Sequence, residues 1–333
     1  MSINPVEIPT GAVRYNTDSN KMEVYIGSTW MEVAVSSPNL DGGVRGLFGG
    51  GMTPSNTDTI DFITIPTQGN ATDFGNLTVA RQWVFGAASS SVRGVWAGGF
   101  SPSISDVIDF VTISSTGDAT DFGNLFDSRA AHAGCSNETR GLFGGGNPVA
   151  SSSKTDGIEF ITIATTGNGQ DFGNLNAATA SLTGTASPTR GLFTGGYTPT
   201  ALNTIQFVTI ASTGNTQDFG DLTQARQEGA DCANATRAIC FGGGPASAAQ
   251  GSIDFFTIAT LGNATDFGDL ITTMQSAMGA TSSPTRGVVT TGTSALNTIE
   301  YIEIATQGDA VDFGDMTVVR EIGAACSNGH GGL

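Results

Sequence analysis

Arg140-Gly141-Leu142-Phe143-Gly144-Gly145-Gly146, followed by Ile158-Glu159-Phe160-Ile161-Thr162-Ile163 and then Asp171-Phe172-Gly173-Asn174-Leu175, is one copy of a pattern that recurs six times. Its leading arginine falls at Arg45, Arg93, Arg140, Arg190, Arg237 and Arg286, a period of 47 to 50 residues over almost the whole chain. A period in that range points to a solenoid, a propeller or an array.

Each copy carries four short segments with strand character and no sustained helical spacing. The first is made of small residues, as in Gly229-Ala230-Asp231-Cys232-Ala233 and Gly323-Ala324-Ala325-Cys326-Ser327. The second is the apolar pair behind the arginine, and in most copies it runs into paired or tripled glycines that permit a sharp bend and close backbone approach. The third, Ile60-Asp61-Phe62-Ile63-Thr64-Ile65 and its counterparts from Ile108, Ile158, Ile205, Ile253 and Ile299, does not alternate cleanly, as expected of a strand covered on both faces. The fourth is Asp-Phe-Gly-Asn/Asp-Leu/Met at Asp73, Asp121, Asp171, Asp218, Asp266 and Asp312. Four short strands in about 48 residues is the arithmetic of a propeller blade, with the small-residue strand innermost. The reading is an all-β, six-bladed β-propeller over residues 36–333, its blades starting near 45, 93, 140, 190, 237 and 286. The body opens on a second strand and the chain ends on a small-residue strand, so residues 321–328 are expected to complete blade one.

Residues 1–35 form a separate N-terminal module. Lys21-Met22-Glu23-Val24-Tyr25-Ile26 alternates with period two between turn chemistry at Asn16–Asn20 and Gly27-Ser28-Thr29, and Trp30-Met31-Glu32-Val33 follows. This is a small three-stranded β-meander, too short to bury a core alone, which docks either on the repeat body or on another chain.

Lys and Arg number 13 against 30 Asp and Glu, a net charge of −17, which argues against the polyanions nucleic acid and anionic lipid as partners. No stretch has the apolar length of a membrane span, the start lacks the basic and apolar parts of a signal peptide, and four cysteines make no disulfide scaffold.

Chemical motifs mostly dissolve into the repeat. Asp-Phe-Gly is a kinase signature, but six copies on a fixed period, without a Gly-rich ATP loop or His-Arg-Asp, read as a blade turn. No Gly-Lys-Ser/Thr follows any glycine run, so none is a phosphate loop. With only His132 and His330, a catalytic triad or a His-rich metal site has little to draw on, and His330 is expected in a mobile tail. Cys135, Cys232 and Cys326 share one inner-strand position in alternate blades and would suit a soft metal if they faced the axis. Ala88, Thr185 and Thr281 hold the other three places, so the position calls for a small side chain, and no cofactor is expected.

Ten of the thirteen basic residues sit at fixed repeat positions: the six leading arginines, and Arg81, Arg129, Arg226 and Arg320 after the Asp-Phe-Gly segment. Six copies suit structure better than a ligand site. The leading arginines are expected to bridge carboxylates or loop carbonyls between blades, and the aspartates of Asp-Phe-Gly count with them as inter-blade residues. Function is expected in the loops between second and third strands, residues 52–59, 101–107, 147–157, 197–204, 245–252 and 293–298, which should cluster on one face.

The order of a small-residue strand, an apolar strand ending in Gly-Gly, an acidic-aromatic strand and a final aromatic-x-x-Leu…Arg resembles kelch repeats, with Phe74 and its equivalents where kelch blades commonly carry Trp. The Thr/Asn-rich wording is similar to repeats in structural proteins of tailed bacteriophages, especially those of aquatic bacteria, including cyanophage-type virions. Gly11 to Tyr25 followed by Trp30 resembles a module of phage fibre and virion proteins. The resemblance implies a non-enzymatic virion protein, a tail-fibre or capsid-appendage head exposed on the particle. It implies Arg14, Tyr15, Tyr25 and Trp30 in an anchoring module that contacts other virion proteins, host attachment through a surface glycan, and a homotrimer as in many such fibres. A decoration protein without a receptor, a free glycan-binding propeller of cellular origin and, with least to draw on, a propeller enzyme are the alternatives.

Overall fold

The computed structural model of the protein describes residues 8–16, 21–32, 44–148, 153–245, 248–277, 279–292 and 296–332. Among them there is no helix, and the strands form seven small antiparallel sheets of three or four strands, with one two-stranded ribbon at Met52–Thr53 and Ser55–Asn56. The chain divides into two compact units, Met1–Asp41 and Gly42–Leu333. The boundary expected at residues 35 and 36 lies outside the described residues.

The first unit is a three-stranded sheet of Val13–Asn16, Lys21–Ile26 and Thr29–Glu32 in sequential order. Pairing of Val13 with Val24, Tyr15 with Met22 and Val24 with Met31 sorts its side chains by the period of two. Val13, Tyr15, Met22, Val24, Ile26 and Met31 share one face, while Arg14, Glu23, Tyr25 and Trp30 share the other.

The second unit holds six four-stranded sheets, which we number from the arginine of the second strand. Sheet 1 is Ala324–Ser327, Arg45–Gly49, Thr59–Thr64 and Thr72–Asn76, and sheet 2 is Gly86–Ser89, Arg93–Ala97, Val107–Thr112 and Thr120–Asn124. Sheets 3 to 6 follow the same order from Ala133, Thr183, Ala230 and Gly279. In sheet 1 the last strand of the chain pairs with its first arginine strand, Ala324 opposite Gly49 and Ser327 opposite Gly46. The first strands touch in cyclic order, each lying on the next and Ala324–Ser327 lying on Gly86–Ser89, a propeller-like arrangement. Bare backbone is needed there: a Cβ on Gly134 would stand 2.3 Å from the Ala87 carbonyl oxygen, and one on Gly184 would stand 2.6 Å from that of Gly134.

Two further sets of contacts join sheet to sheet, and both explain residues of the repeat. On the second strand, the glycine behind the leading arginine is a notch for the preceding sheet's inner strand. A Cβ on Gly141 would meet the Ala88 methyl at 2.7 Å, and one on Gly46 would meet Thr281 Cγ2 at 2.6 Å. On the outer strand, the phenylalanine of Asp-Phe-Gly is buried edge-on against the aromatic residue of the third strand, as in Phe160–Phe172 and Tyr301–Phe313, both with centroids 6.0 Å apart. Its carbonyl accepts an N–H from the next repeat's turn, from Gly117 to Phe74 at 2.8 Å round to Gly69 to Phe313 at 3.0 Å, six bonds in all.

The glycine of that motif completes the outer contact. At φ 148°, Gly173 faces the Gly214 turn so closely that a Cβ would lie 2.3 Å from the Gly214 oxygen. Both atoms belong to backbone, so neither yields by a rotamer change. Gly173→Ala is therefore expected to destabilise by about 1–3 kcal/mol. Gly167→Ala, where a Cβ meets nothing within 4 Å, is the control and should melt as wild type. Equal melting of the two variants would refute the close-approach account.

Candidate functional site

The six leading arginines make a closed ring of ties. Arg45 donates to the Ile113 carbonyl of sheet 2 at 3.0 Å, Arg93 to Ile163 of sheet 3 at 2.9 Å and Arg140 to Ile210 of sheet 4 at 3.0 Å. Arg190 donates to Ile258 at 2.6 Å, Arg237 to Ile304 at 3.0 Å, and Arg286 closes the ring on Ile65 at 3.1 Å. Each guanidinium also lies over the third-strand aromatic of its own sheet, 4.3 to 5.1 Å from the centroid, on Phe62, Phe110, Phe160, Phe207, Phe255 and Tyr301. Of the two acceptors expected, it is the carbonyl that ties sheet to sheet. The one carboxylate met, Glu303, belongs to the same sheet as its partner Arg286.

The aspartates expected beside them do not tie sheets by their carboxylates, although the main-chain oxygens of Asp312 and Asp266 accept from Gln68 and Gln307 of the adjacent sheet at 3.2 and 2.8 Å. Asp73, Asp121, Asp171, Asp218, Asp266 and Asp312 are all exposed, because the period of two turns them outward when the next residue's phenylalanine turns in. The carboxylates that pair with buried arginines are instead on the third strands. Arg81 pairs with Asp109 at 2.8 Å, Arg226 with Asp254 at 3.0 Å, Arg320 with Asp61 at 2.7 Å, and Arg129 with Glu159, every side chain buried. In each case the arginine lies shortly before a sheet's inner strand and the carboxylate is on that sheet's third strand. The carboxylates also hold crossover groups: Asp254 accepts from Thr223 N and Oγ1, and Glu159 from the Phe126 and Asp127 amides. Where the crossover has Thr179 in place of arginine, the acid gives way to Gln206, which accepts the Asn176 amide at 2.9 Å.

The sixth site is unbalanced. Buried Met274 occupies the arginine position, yet buried Glu300 is retained, holding the Ile271 and Thr272 amides at 2.9 and 3.0 Å. Burial pushes the Glu300 carboxyl above the ordinary range, and those amides offset this only in part. A raised folded-state pKa favours the folded protein below the unfolded pKa, and that advantage is lost as pH rises through the folded value. Met274→Arg supplies the missing cation, which repays its own burial only when Glu300 is ionised. Its stability relative to wild type is expected to rise as pH climbs from the ordinary glutamate range through the raised folded-state value, and a pH-independent difference in melting would contradict this.

At the axis, the inner strands line narrow cavities of about 50 Å³ at either end, room for little more than water. The thiols of Cys135, Cys232 and Cys326 seat in the next sheet's glycine notch, so that a Cβ on Gly191, Gly287 or Gly94 would stand 2.8 to 2.9 Å from sulfur. Burial pushes Cys135 and Cys326 up to about 12, the behaviour of inert packing thiols. Among the described residues no group of three or more His, Cys, Asp or Glu is placed to hold a metal. His330, expected in a mobile tail, is instead packed at one end of the axis with Nε2 3.3 Å from the Ser89 carbonyl oxygen, and burial lowers it to about 4. His132 is wholly buried, edge-on to Phe143, with neither ring nitrogen partnered. Burial and then the charges of Arg129 and Arg81 hold it well below its ordinary pKa, a neutral packing residue.

The opposite end of the axis is where side chains depart from the repeat. Every second strand ends opposite the start of an inner strand, Gly49 opposite Ala324 and Ala97 opposite Gly86, so the six loops expected to vary all leave from this end. Residues 149–152, 246–247 and 293–295 of those loops lie outside the described residues. A cavity of about 590 Å³ opens there, lined by Gln82, Trp83, Glu228, Ser276, Glu321 and Ile322 among others. Most of these residues belong to the crossovers, not to the loops, and sequence reading passed over them. The one signal was that these side chains differ from repeat to repeat, as in Trp83, Ala131, Ser181, Glu228, Ser276 and Ile322.

In the first unit, Arg14, Tyr25 and Trp30 come together. Arg14 pairs with Glu23 at 2.7 Å and lies 4.2 Å over the Trp30 ring, and Tyr25 packs on Trp30 at 5.2 Å. Tyr15 is on the other face and 54% exposed, beside Val13 at 57% and Met31 at 54%. Comparison with protein-family models and with curated proteins finds no match to this chain.

Proposed function

We propose that the six four-stranded sheets are the blades of a kelch-like propeller, and that the protein is a non-enzymatic virion component of a tailed bacteriophage. In this reading the propeller is a head on the particle surface, as tail fibre or capsid appendage, and residues 1–35 fasten it to other virion proteins, with a homotrimer as its assembly. The loop end of the axis meets a host-surface glycan. The observation that carries the proposal is the division of labour between the units. The repeat positions of the second unit are consumed by ties between sheets, and its non-repeating side chains collect at one end. The first unit, too small to hold a core, presents an uncharged apolar face with Val13, Tyr15, Met22, Ile26 and Met31 each at least 42% exposed.

The test is a chain lacking residues 1–35, offered to assembling particles beside the full chain. Loss of incorporation with an unchanged melting curve for the second unit supports anchoring. Incorporation at the wild-type level would overturn it.

A further inference from the structure

The rim of the loop-end cavity is a repeated backbone with unrepeated side chains. Trp83, Ala131, Ser181, Glu228 and Ile322 occupy the same place just before an inner strand, all with φ between 53° and 56°. Positive φ is uncommon for any residue but glycine and an outlier for isoleucine. The backbone there is held by cross-sheet bonds: Ala131 N–H to Trp83 O at 3.0 Å, Ser181 to Ala131 at 2.8 Å, Glu228 to Ser181 at 2.9 Å and Ala277 to Glu228 at 3.0 Å. One half of this rim carries only Ala131 and Ser181. The other half carries an indole, two carboxylates and two amides on a frame that hydrogen bonding holds in place against its strain.

Those groups have a common chemical character. Trp83 is 38% exposed and backed by Phe100 at 5.6 Å, so its ring is a fixed apolar platform at the cavity edge. Gln82 and Gln275 line the same cavity, although the Gln82 carbonyl oxygen is itself buried away from it. Glu228 accepts the Ser276 hydroxyl and, at 3.4 Å, that of Ser181. Burial and then the charge of Glu228 push the Glu321 carboxyl above its usual range. The cavity lining thus offers acceptors and a ring face, and among its described residues there is no cationic side chain.

We infer that this cavity binds a saccharide, stacked on Trp83 and donating hydroxyl or ammonium hydrogens to Glu321 and Glu228. A pyranose has an apolar ring face to lie on the indole and many donors for the two carboxylates, and its size suits a pocket of this volume. The two carboxylates select the charge: amino sugars are favoured, neutral sugars are accepted and uronic acids are rejected. The inference rests on the reading of the loop end as the receptor face, and it names the ligand class of that face.

The test is a titration of the full chain with glucosamine, glucose and glucuronate, followed by intrinsic tryptophan fluorescence and by ligand-observed NMR. Glucosamine is expected to bind at least tenfold more tightly than glucuronate. Trp83→Ala should lose tenfold or more in affinity for glucosamine, and Glu321→Gln should remove most of the preference for glucosamine over glucose. The second variant leaves the strained backbone position untouched and guards against a folding defect in the first. Equal binding of glucuronate, unaltered affinity in both variants, or no binding of any of the three sugars would overturn the inference. Particle incorporation of the chain lacking residues 1–35 is scored separately, so a silent sugar titration leaves the anchoring reading standing.

Discussion

Arg81→Thr should lower stability by about 3–5 kcal/mol, because it strands Asp109 as an unpaired charge with both members of the pair fully buried. Arg81 also donates to the Trp96 and Val107 carbonyls, so its loss unfastens the crossover entering sheet 2 from both neighbouring strands. The chain itself contains the neutral solution in Thr179 and Gln206. The double variant Arg81→Thr with Asp109→Gln should therefore be less destabilised than Arg81→Thr alone, by about 1–3 kcal/mol of coupling. Denaturant unfolding of the wild type, both single variants and the double variant closes the cycle. Additive effects, or a wild-type midpoint for Arg81→Thr, would refute the view that these pairs hold the crossovers.

That covariation was visible in the sequence before any coordinates. Arg81, Arg129 and Arg226 each precede a repeat with Ile-Asp or Ile-Glu in its third strand, and Arg320 meets Ile60-Asp61 once the last strand closes sheet 1. Thr179 precedes the repeat with Ile-Gln, and Met274 before Ile299-Glu300 is the exception. Period alone, however, marks a position as fixed without saying which way its side chain faces, and this is how the exposed aspartates Asp73 to Asp312 came to stand beside the arginines as inter-blade residues. The alternation around the buried phenylalanine of the same motif decides the point, since neighbours in a strand point to opposite faces. The strand order and the small innermost residues were legible because they follow from composition and period. The rim of the loop-end cavity was not. It depends on crossovers that bring residues from separate repeats together, and the crossover holding Trp83 is one residue longer than that holding Ala131.

Deleting residues 321–333 should abolish cooperative folding of the second unit, the largest effect expected of any change considered. The lost strand, Ala324–Ser327, is the inner strand of sheet 1, so Arg45–Gly49 becomes an unpaired edge carrying the buried Leu47 and Phe48. Sheet 2 loses as well: Trp96 Nε1 donates to the Ala324 carbonyl, Ser89 Oγ to that of Ser327, and Cys326 fills the Gly94 notch. On the other side Ser327 Oγ no longer reaches the Ser282 carbonyl of sheet 6. The deletion thus cuts the cycle of inner strands at one place and removes contacts to three sheets at once. A milder deletion of residues 329–333 is the necessary comparison. It removes the packed His330 but keeps the strand, and should cost about 1 kcal/mol, the scale of a hydrogen bond or two. If the longer deletion melts with the cooperativity and midpoint of the shorter one, the ring does not depend on the union of the chain's two ends. If it yields only a broad transition or aggregates while the shorter one melts sharply, closure by the last strand is what makes six separate sheets fold as one unit.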